Sequence, residues 1–325
     1  MYSPNIPFPK DLNPDEHISI LFEMPARDRP LIEPICRRQA DFIAPISEEA
    51  RDLYIKGRQL EFLRAPVEDA DIIALFEEAA KKGNWDAYKR LIRMYLVGQR
   101  VEKNNQRALE LVLALVDAKH PYGYFVLGQF LHEGEYLIKQ DIKKAYAYFD
   151  LAYQHGSPQA QAAIGGLYAE AEVAYINEDL NKLNQYLNQS FKYYQCAGEQ
   201  GHQASLYQLA LTTGGSVKNI PKALRYYQKA AMLGHGKSMY AMYSRLKNNN
   251  NEGYIPDPDL LKCINDKMEL LDENPLLTFP NLETECPLPL HPILGDGSQY
   301  PDKRRELGFM QRVKSFGYPT NDPND

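Results

Sequence analysis

Residues 141–164 read DIKKAYAYFDLAYQHGSPQAQAAI, and this stretch contains one complete junction between two helices. Ala145 and Phe149 lie four residues apart, so a small and a large side chain share one face of the first helix. Gly156 follows where the end of a helix needs a left-handed backbone, and Pro158 then suits the first turn of the next helix. The stretch therefore predicts two closely packed helices whose small and large residues interlock.

The same junction recurs along the middle of the chain. Five anchor positions, Gly83, Lys119, Gly156, Gly201 and Gly234, are separated by 36, 37, 45 and 33 residues. Repeats of this length predict stacked helical hairpins, because each hairpin buries its apolar face only against a neighbour. Four positions after each anchor the residue is small: Ala87, Gly123, Ala160, Ser205 and Ser238. Eight positions after each anchor it is large and aliphatic: Leu91, Leu127, Ile164, Leu209 and Met242.

We therefore predict an all-α fold, a right-handed α-solenoid of about five to six helical hairpins with irregular proline-rich segments at both ends. Residues 1–47 and 274–325 each hold 8 of the 22 prolines, which break helices. We expect an extended N-terminal arm at 1–47, the repeat array at 48–247, and a capping helix with a proline-rich tail at 248–325. The expected helix pairs are 48–64 with 70–82, 85–97 with 104–118, 121–133 with 141–155, 158–177 with 180–199, and 203–213 with 220–233, followed by a half-repeat at 236–247 and a helix that Asp257 opens.

The net charge of the chain and the length of its apolar runs argue against nucleic acids and membranes as partners. The chain has 37 Lys and Arg against 43 Asp and Glu, a net charge of -6, which argues against binding to the phosphate backbone of nucleic acids. The longest strongly apolar run, 111–116, is far shorter than the roughly 18 residues of a membrane span, so we predict no membrane insertion. Four scattered cysteines, Cys36, Cys196, Cys263 and Cys286, form no CxxC metal site and leave the redox compartment open.

Residues that could perform chemistry have simpler structural interpretations. Residues 231–238, AMLGHGKS, loosely match a phosphate-binding loop but begin inside a predicted helix instead of after a strand. His202 and His235 occupy equivalent turn positions and His120 lies beside its own anchor, which is typical of a structural role in a repeat. We predict a chain that is not an enzyme, with no catalytic residue, no cofactor and no metal site.

A binding surface is expected along the first helices of the hairpins, which line the concave side of such arrays. Aromatic side chains mixed with amide and charged groups favour the centre of a protein interface. The alternative for each aromatic residue is burial against the neighbouring repeat. The predicted strip comprises Lys89, Arg93, Tyr122, Phe125, Gln129, Tyr207 and Tyr240.

Two of the repeats resemble the Sel-one-like repeat, a relative of the tetratricopeptide repeat. The resemblance covers roughly residues 70–245 and implies a helical-repeat fold that binds proteins. The residues that carry it are Leu127-Gly128, Gly134, Lys144-Ala145, Tyr148-Phe149, Ala152 and Gly156, and then the run 223–231 with Gly234-His235.

The ends of the chain narrow the resemblance to a bacterial subgroup of Sel-one-like proteins with an unassigned C-terminal domain. The similar stretches are 29–41, the Trp85 repeat, 196–202 and 287–297, although this chain has Gly295-Asp296 where the subgroup carries Trp-Asp. Members often accompany type VI secretion toxins, including lipases, and some are held to be their immunity proteins. The resemblance thus implies an immunity protein that binds and occludes such an effector, with a regulatory adaptor for a signalling or envelope complex as the alternative.

The implied partner is a cognate secreted toxin of the lipase class, and this determines the expected location. The first ten residues lack a basic region followed by an apolar stretch, so no export signal is predicted in the chain as given. If Met1 replaces a removed signal peptide, we expect the protein in the periplasm, where such toxins arrive. A native Met1 would instead place the protein in the cytoplasm.

Overall fold

A computed structural model describes residues 6–62, 67–175, 178–247, 254–291 and 294–299. Within these described residues the fold is all-α and holds no β-strand, only an isolated bridge between His291 and Gly295. The predicted fold class is confirmed, and the predicted helix pairs are found with shifted limits: the first helix of the fourth pair ends at Val173, before the expected residue 177, and that of the fifth pair runs to Gly215, past the expected residue 213. The helices are α1 (Ile20–Glu23), α2 (Glu48–Phe62), α3 (Asp69–Lys81), α4 (Trp85–Val97), α5 (Asn105–Asp117), α6 (Pro121–Glu133), α7 (Ile142–Gln154), α8 (Pro158–Val173), α9 (Leu180–Glu199), α10 (Gln203–Gly215), α11 (Ile220–Met232), α12 (Gly236–Lys247), α13 (Pro258–Glu273) and α14 (Leu282–Glu285).

The chain forms two compact units. The first contains the residues up to Met24 and Ile35–Ala163, and the second contains Pro25–Pro34 and the chain from Ile164 onward. The two units are defined by which residues pack together. The predicted division into arm, array and tail was instead based on where the prolines lie in the sequence. The three-segment division therefore stays a prediction.

The small and large repeat positions form the core of each unit. In the first unit Leu91 and Leu127 are fully buried, and in the second Leu209 and Met242 are. Consecutive helices pack as hairpins, among them α4 with α5, α6 with α7, and α10 with α11. Gly123 shows why the small positions are needed, since a Cβ there would lie 2.6 Å from the Cβ of Leu115 on the preceding helix.

The turns between hairpins adopt the backbone that the anchor positions predict. All four anchor glycines have positive φ, and Lys119, the anchor that is not glycine, also does, with a φ of 54°. Pro121 and Pro158 are the first residues of α6 and α8, as expected. Four of the second helices, α5, α7, α9 and α11, begin with side-chain caps, for example the Asp141 carboxylate that accepts a hydrogen bond from the Lys144 amide at 3.0 Å.

The C-terminal part of the second unit packs on α11 and α12. α13 packs against α12, and a disulfide joins Cys263 of α13 to Cys286 just after α14. The Gln228 side chain of α11 donates a hydrogen bond to the Cys286 carbonyl at 3.0 Å. None of the four cysteines is a free thiol. The sequence pattern alone had left these pairings open.

Candidate protein-binding surface

In the first unit, five residues of the predicted strip lie on α4 and α6. The Lys89 ammonium lies 3.0 Å from the Asp86 carboxylate and 5.1 Å from the centre of the Tyr122 ring. Tyr122 is half-buried, and burial raises the pKa of its phenol. Lys89 of α4 and Tyr122 of α6 therefore form a cation–π pair between the two helices.

The remaining strip residues of the first unit differ in how far they are exposed to solvent. Arg93 on α4 and Gln129 on α6 are exposed to solvent. Phe125 is half-buried, and its ring centre lies 5.6 Å from that of Phe149 on α7. Phe125 thus contributes to the packing between α6 and α7 as well as to the surface.

Positive charge is concentrated on α4. Arg90 pairs with the buried carboxylate of Glu61 on α2. Burial lowers the pKa of Arg90, and the neighbouring guanidinium groups of Arg58 and Arg93 lower it further. One carboxylate therefore faces several guanidinium groups, which leaves this part of the first unit locally basic.

In the second unit, Tyr207 and Tyr240 of the predicted strip line one groove of about 620 Å³. Tyr207 comes from α10 and is half-buried, whereas Tyr240 comes from α12 and is 62% exposed. Leu211 forms part of the wall, and Tyr227 of α11 lies at the base, with its ring centre 5.8 Å from that of Tyr207. We call this feature the open groove. Its lining residues are Tyr207, Leu211, Tyr227, Gly236, Lys237, Tyr240, Ala241, Ser244 and Arg245.

Two basic residues of the open groove were absent from the predicted strip. Lys237 is exposed at the start of α12. Arg245 lies further along α12, with its guanidinium 5.9 Å from the centre of the Tyr227 ring. The signal that could have found them is in the sequence, because residues 203–247 hold seven basic side chains and no Asp or Glu.

A second set of tyrosines in the same unit is covered by the chain itself. Tyr168, Tyr175, Tyr186 and Tyr193 of α8, α9 and the turn between them lie against Pro25–Pro34, and we call them the tyrosine ladder. Each hydroxyl donates to a backbone carbonyl of that segment: Tyr175 to Arg27 at 2.8 Å, Tyr186 to Arg29 at 2.8 Å, Tyr168 to Pro30 at 2.8 Å, and Tyr193 to Ile32 at 3.1 Å.

The tyrosine ladder explains part of the high tyrosine content, 23 residues in 325. A proline-rich segment cannot satisfy its backbone groups in a helix or sheet, so other groups must do so. The hydroxyl of Tyr168 also accepts a hydrogen bond from the Ile32 amide at 2.9 Å. Sequence analysis missed this role, although the combination of a proline-rich arm and surplus tyrosine was visible.

The first unit holds its own part of the arm in a similar way. The carboxylate of Asp150 on α7, which is 1% exposed, accepts hydrogen bonds from the amides of Ile18 at 2.7 Å and Ser19 at 2.8 Å. Gln154 both accepts from the Asn13 amide at 2.9 Å and donates to the Asn13 carbonyl at 3.1 Å. Polar side chains of α7 thus hold the arm by its backbone.

The histidines at the turns have structural contacts. Nδ1 of His202 lies 2.9 Å from the Ser205 hydroxyl, and Nδ1 of His235 lies 2.7 Å from the Ser238 hydroxyl, so the two repeats use the same contact. His120 accepts a hydrogen bond from the Tyr122 amide at 3.1 Å. Burial, with a smaller effect of Lys89, lowers the pKa of His120 to about 3 and keeps the ring neutral.

The segment that loosely matches a phosphate-binding loop lies in a different structural context from such loops. The segment 231–238 runs from the end of α11 into α12, which is a helix–turn–helix context and not the strand-to-helix context of a phosphate-binding loop. Across the part of the chain that is described, no group of three or more His, Cys, Asp or Glu side chains could hold a metal ion. None of the described helices combines the length and the apolar character needed to cross a membrane.

The hairpins match a known repeat family. The Sel1 repeat model matches residues 87–113, 121–157, 158–202 and 203–235. These four segments of the chain are similar to the Sel1 repeat. Each of the four matches falls on one hairpin, from α4 with α5 to α10 with α11, and the resemblance to the Sel-one-like repeat is confirmed.

Three solved structures from Pseudomonas aeruginosa are similar to this chain. Immunity protein PA5088 is 26% identical with a TM-score of 0.62, over 82% of this chain and 97% of that protein. Immunity protein Pa5087 is 27% identical with a TM-score of 0.64, over 81% and 97%. PA5086 is 25% identical with a TM-score of 0.65, over 83% and 100%. No curated protein matches the chain by sequence. The repeats and these neighbours support a protein-binding scaffold.

Proposed function

We propose that this chain is a non-catalytic immunity protein that binds a type VI secretion effector of the lipase class. The observation that carries the proposal is the similarity to immunity proteins Pa5087 and PA5088, which extends over 81% and 82% of this chain and 97% of each neighbour. The type VI and lipase assignments rest on the resemblance of the chain ends to the bacterial subgroup. The proposal assigns a catalytic role to no residue of this chain.

Inhibition in this proposal is stoichiometric occlusion. A helical surface of the chain would cover the effector's substrate entrance or a mobile segment beside it, and so keep the substrate out. The fold favours this mechanism, since repeats of helical hairpins offer an extended preformed surface that loses little conformational entropy on binding. The predicted strip residues, from Lys89 on α4 to Tyr240 on α12, are the proposed contacts.

We propose the periplasm as the compartment. The disulfide between Cys263 and Cys286 supports this location, because disulfides persist in oxidising compartments and are rare in the cytosol. Cell fractionation of the natural gene product tests the location. Mass spectrometry after alkylation tests the bond, and a fully alkylated Cys263 and Cys286 pair in a cytoplasmic fraction would overturn the assignment.

The proposed function is tested with the effector whose gene lies beside the gene of this chain. An inactive form of that effector should co-purify with this protein in equimolar amounts, and co-expression should relieve the toxicity of the active form. A harmless neighbour, or toxicity that equimolar protein does not relieve, contradicts the proposal. Capture of a signalling or envelope complex without any rescue would favour the regulatory adaptor instead.

A further inference from the structure

One exposed arginine of the predicted strip has no partner among the described residues. Arg93 is exposed on α4, and no hydrogen bond or ion pair within the described part of the chain joins its guanidinium to another group. Lys89, one turn earlier on the same helix, is paired with Asp86. A planar guanidinium can bind a carboxylate with two hydrogen bonds, and arginine is enriched at the energetic centres of protein interfaces. Arg93 is therefore well suited to receive a group from a partner.

Arg93 belongs to a cluster of guanidinium groups. Oε2 of the buried Glu61 lies 3.1 Å from Nε of Arg90 and 3.1 Å from Nε of Arg58, so two arginines share one carboxylate. Burial lowers the pKa of Arg90, and the positive charges of Arg58 and Arg93 lower it further. The charge of Arg93 thus acts on the same group of side chains as the other guanidinium groups.

The cluster holds more positive than negative charge. Arg100 donates hydrogen bonds to the Asp69 carboxylate at 2.6 Å and to the Glu61 carbonyl at 2.7 Å. Within the described residues, the carboxylates of Glu61 and Asp69 are the only ion-pair partners of four arginines, which are Arg58, Arg90, Arg93 and Arg100. The Glu61 carboxylate is buried and already bonded, so it is not available to Arg93. A partner can supply the missing carboxylate.

The charge of Arg93 also acts on α6. Burial raises the pKa of Tyr122, and the positive charge of Arg93 opposes that rise. Tyr122 is half-buried, and the half-buried Phe125 lies three residues later on the same helix. A carboxylate bound to Arg93 would therefore be bordered by aromatic side chains. Such neighbours keep water away from an ion pair and strengthen it.

We infer that Arg93 binds a carboxylate of an acidic segment of the effector, and that the excess positive charge of its cluster attracts that segment. This inference rests on the proposed function, since the partner is taken to be the effector. Charge complementarity of this kind raises the rate of association and selects the correct partner. A phosphate can also bind a guanidinium, but the net charge of -6 on the chain opposes the backbone of a nucleic acid. We therefore assign the site to a protein carboxylate.

The test removes one positive charge at two places in the first unit. Arg93→Gln changes the strip, whereas Lys81→Gln changes an exposed lysine at the end of α3, the second helix of its hairpin. Binding of the inactive effector is measured by calorimetry at about 50 mM and about 300 mM NaCl. We expect Arg93→Gln to weaken binding at least about tenfold and Lys81→Gln to weaken it less than about threefold. Both variants should keep the melting temperature of the unchanged protein, because neither side chain has a partner among the described residues.

A second measurement identifies the group that Arg93 binds. Each Asp or Glu of the inactive effector is replaced in turn by Asn or Gln. One of these replacements should weaken binding to the unchanged protein about tenfold, but should weaken binding to the Arg93→Gln protein less than about threefold, because the contact is already absent there. The affinity of the unchanged protein should also fall at the higher salt concentration.

Equal binding by the Arg93→Gln and Lys81→Gln proteins would overturn the inference and leave the immunity function intact. The same conclusion would follow if every carboxylate replacement affected the unchanged and Arg93→Gln proteins equally, or if salt did not change the affinity. An unchanged protein that does not bind the effector at all overturns both proposals. A DNA oligonucleotide that binds the unchanged protein as tightly as the effector does would show a site for phosphates and would also overturn the inference.

Discussion

In the tyrosine ladder, four hydroxyl groups bond to the backbone of Pro25–Pro34, whereas in the open groove Tyr240 keeps 62% of its surface exposed. Both sets belong to the second unit and to adjacent repeats. The ladder meets carbonyl groups that have no helix or strand to bond to, so its hydroxyls are structural. The lining of the groove includes the basic residues Lys237 and Arg245, and Tyr240 is the most exposed of its tyrosines.

This contrast distinguishes tyrosines that stabilise the fold from tyrosines available to a partner. Composition alone cannot separate them, because both have the same side chain on the same type of helix. The two sets differ in the hydrogen-bond partner of the tyrosine hydroxyl and in the charge of the neighbouring side chains. A ladder tyrosine should therefore affect stability, and a groove tyrosine should affect binding.

The largest expected effect concerns the support behind the open groove. α12 packs against α13, which the Cys263–Cys286 disulfide joins to the segment after α14. Replacing both cysteines with alanine should lower the free energy of unfolding of the second unit by about 3 kcal/mol, because the bond closes a loop of 23 residues. Urea denaturation followed by circular dichroism measures the change.

The matched control for the cysteine variant is Ile255→Ala. Ile255 precedes α13 and its side chain is 87% exposed, so its loss should change the unfolding free energy by less than about 0.5 kcal/mol. A double cysteine variant as stable as the control would show that the second unit does not depend on this bond. The groove would then owe its shape to helix packing alone.

The next effect separates the two tyrosine sets directly. Tyr168→Phe removes a hydroxyl that donates to the Pro30 carbonyl and accepts from the Ile32 amide, so two backbone groups lose their partner. We expect a loss of about 2 kcal/mol in the free energy of unfolding. Tyr240→Phe, the same chemical change in the open groove, should cost less than about 0.5 kcal/mol. Equal losses in the two variants would remove the distinction between the sets.

The parts that could be predicted from the sequence are those with local periodicity. The turns at Gly83 and Gly201, the buried small positions and the helix limits follow from residues close together in the chain. Tyr207 and Tyr240 could be placed because they recur at one offset from the anchors. Whether they bind a partner stays a prediction.

The parts that could not be predicted depend on distant contacts. The hydroxyl of Tyr186 and the carbonyl of Arg29 are separated by 157 residues, and no repeat links them. The arm has no period of its own, so nothing in its sequence indicates which helix it follows. The same holds for the disulfide, because four scattered cysteines allow three pairings. The basic border of the open groove was predictable from the seven basic residues of 203–247 and was missed.

A smaller effect tests how the arm is held. Glu33 pairs with the exposed Lys192 ammonium at 2.7 Å, and the hydrogen bond from Lys192 lowers the pKa of its carboxyl. Solvent screens this pair, so Glu33→Ala should lower the unfolding free energy by no more than about 0.5 kcal/mol. The same urea measurement used for Tyr168→Phe checks it. A loss as large as that of Tyr168→Phe would mean that ion pairs, and not hydroxyl groups, hold the segment.

The smallest expected effect is on the pKa of His235 beside the open groove. The ring centre of His235 lies 5.3 Å from that of Tyr207. Burial lowers the pKa of His235, and the charge of Lys237 lowers it further. Lys237→Gln should therefore raise this pKa towards the value of an exposed histidine. An NMR titration of the imidazole nitrogens measures the change.

The lowered pKa of His235 also predicts how stability changes with pH. Because the pKa of His235 is lower in the folded protein than in the unfolded chain, stability falls as the pH drops below about 6.5, where the unfolded chain gains the proton first. Lys237→Gln should reduce that loss. Lys247→Gln is the control, since its ammonium lies 5.4 Å from the centre of the Tyr243 ring at the other end of α12. If both variants leave the His235 pKa unchanged, the charge of Lys237 does not act on this ring.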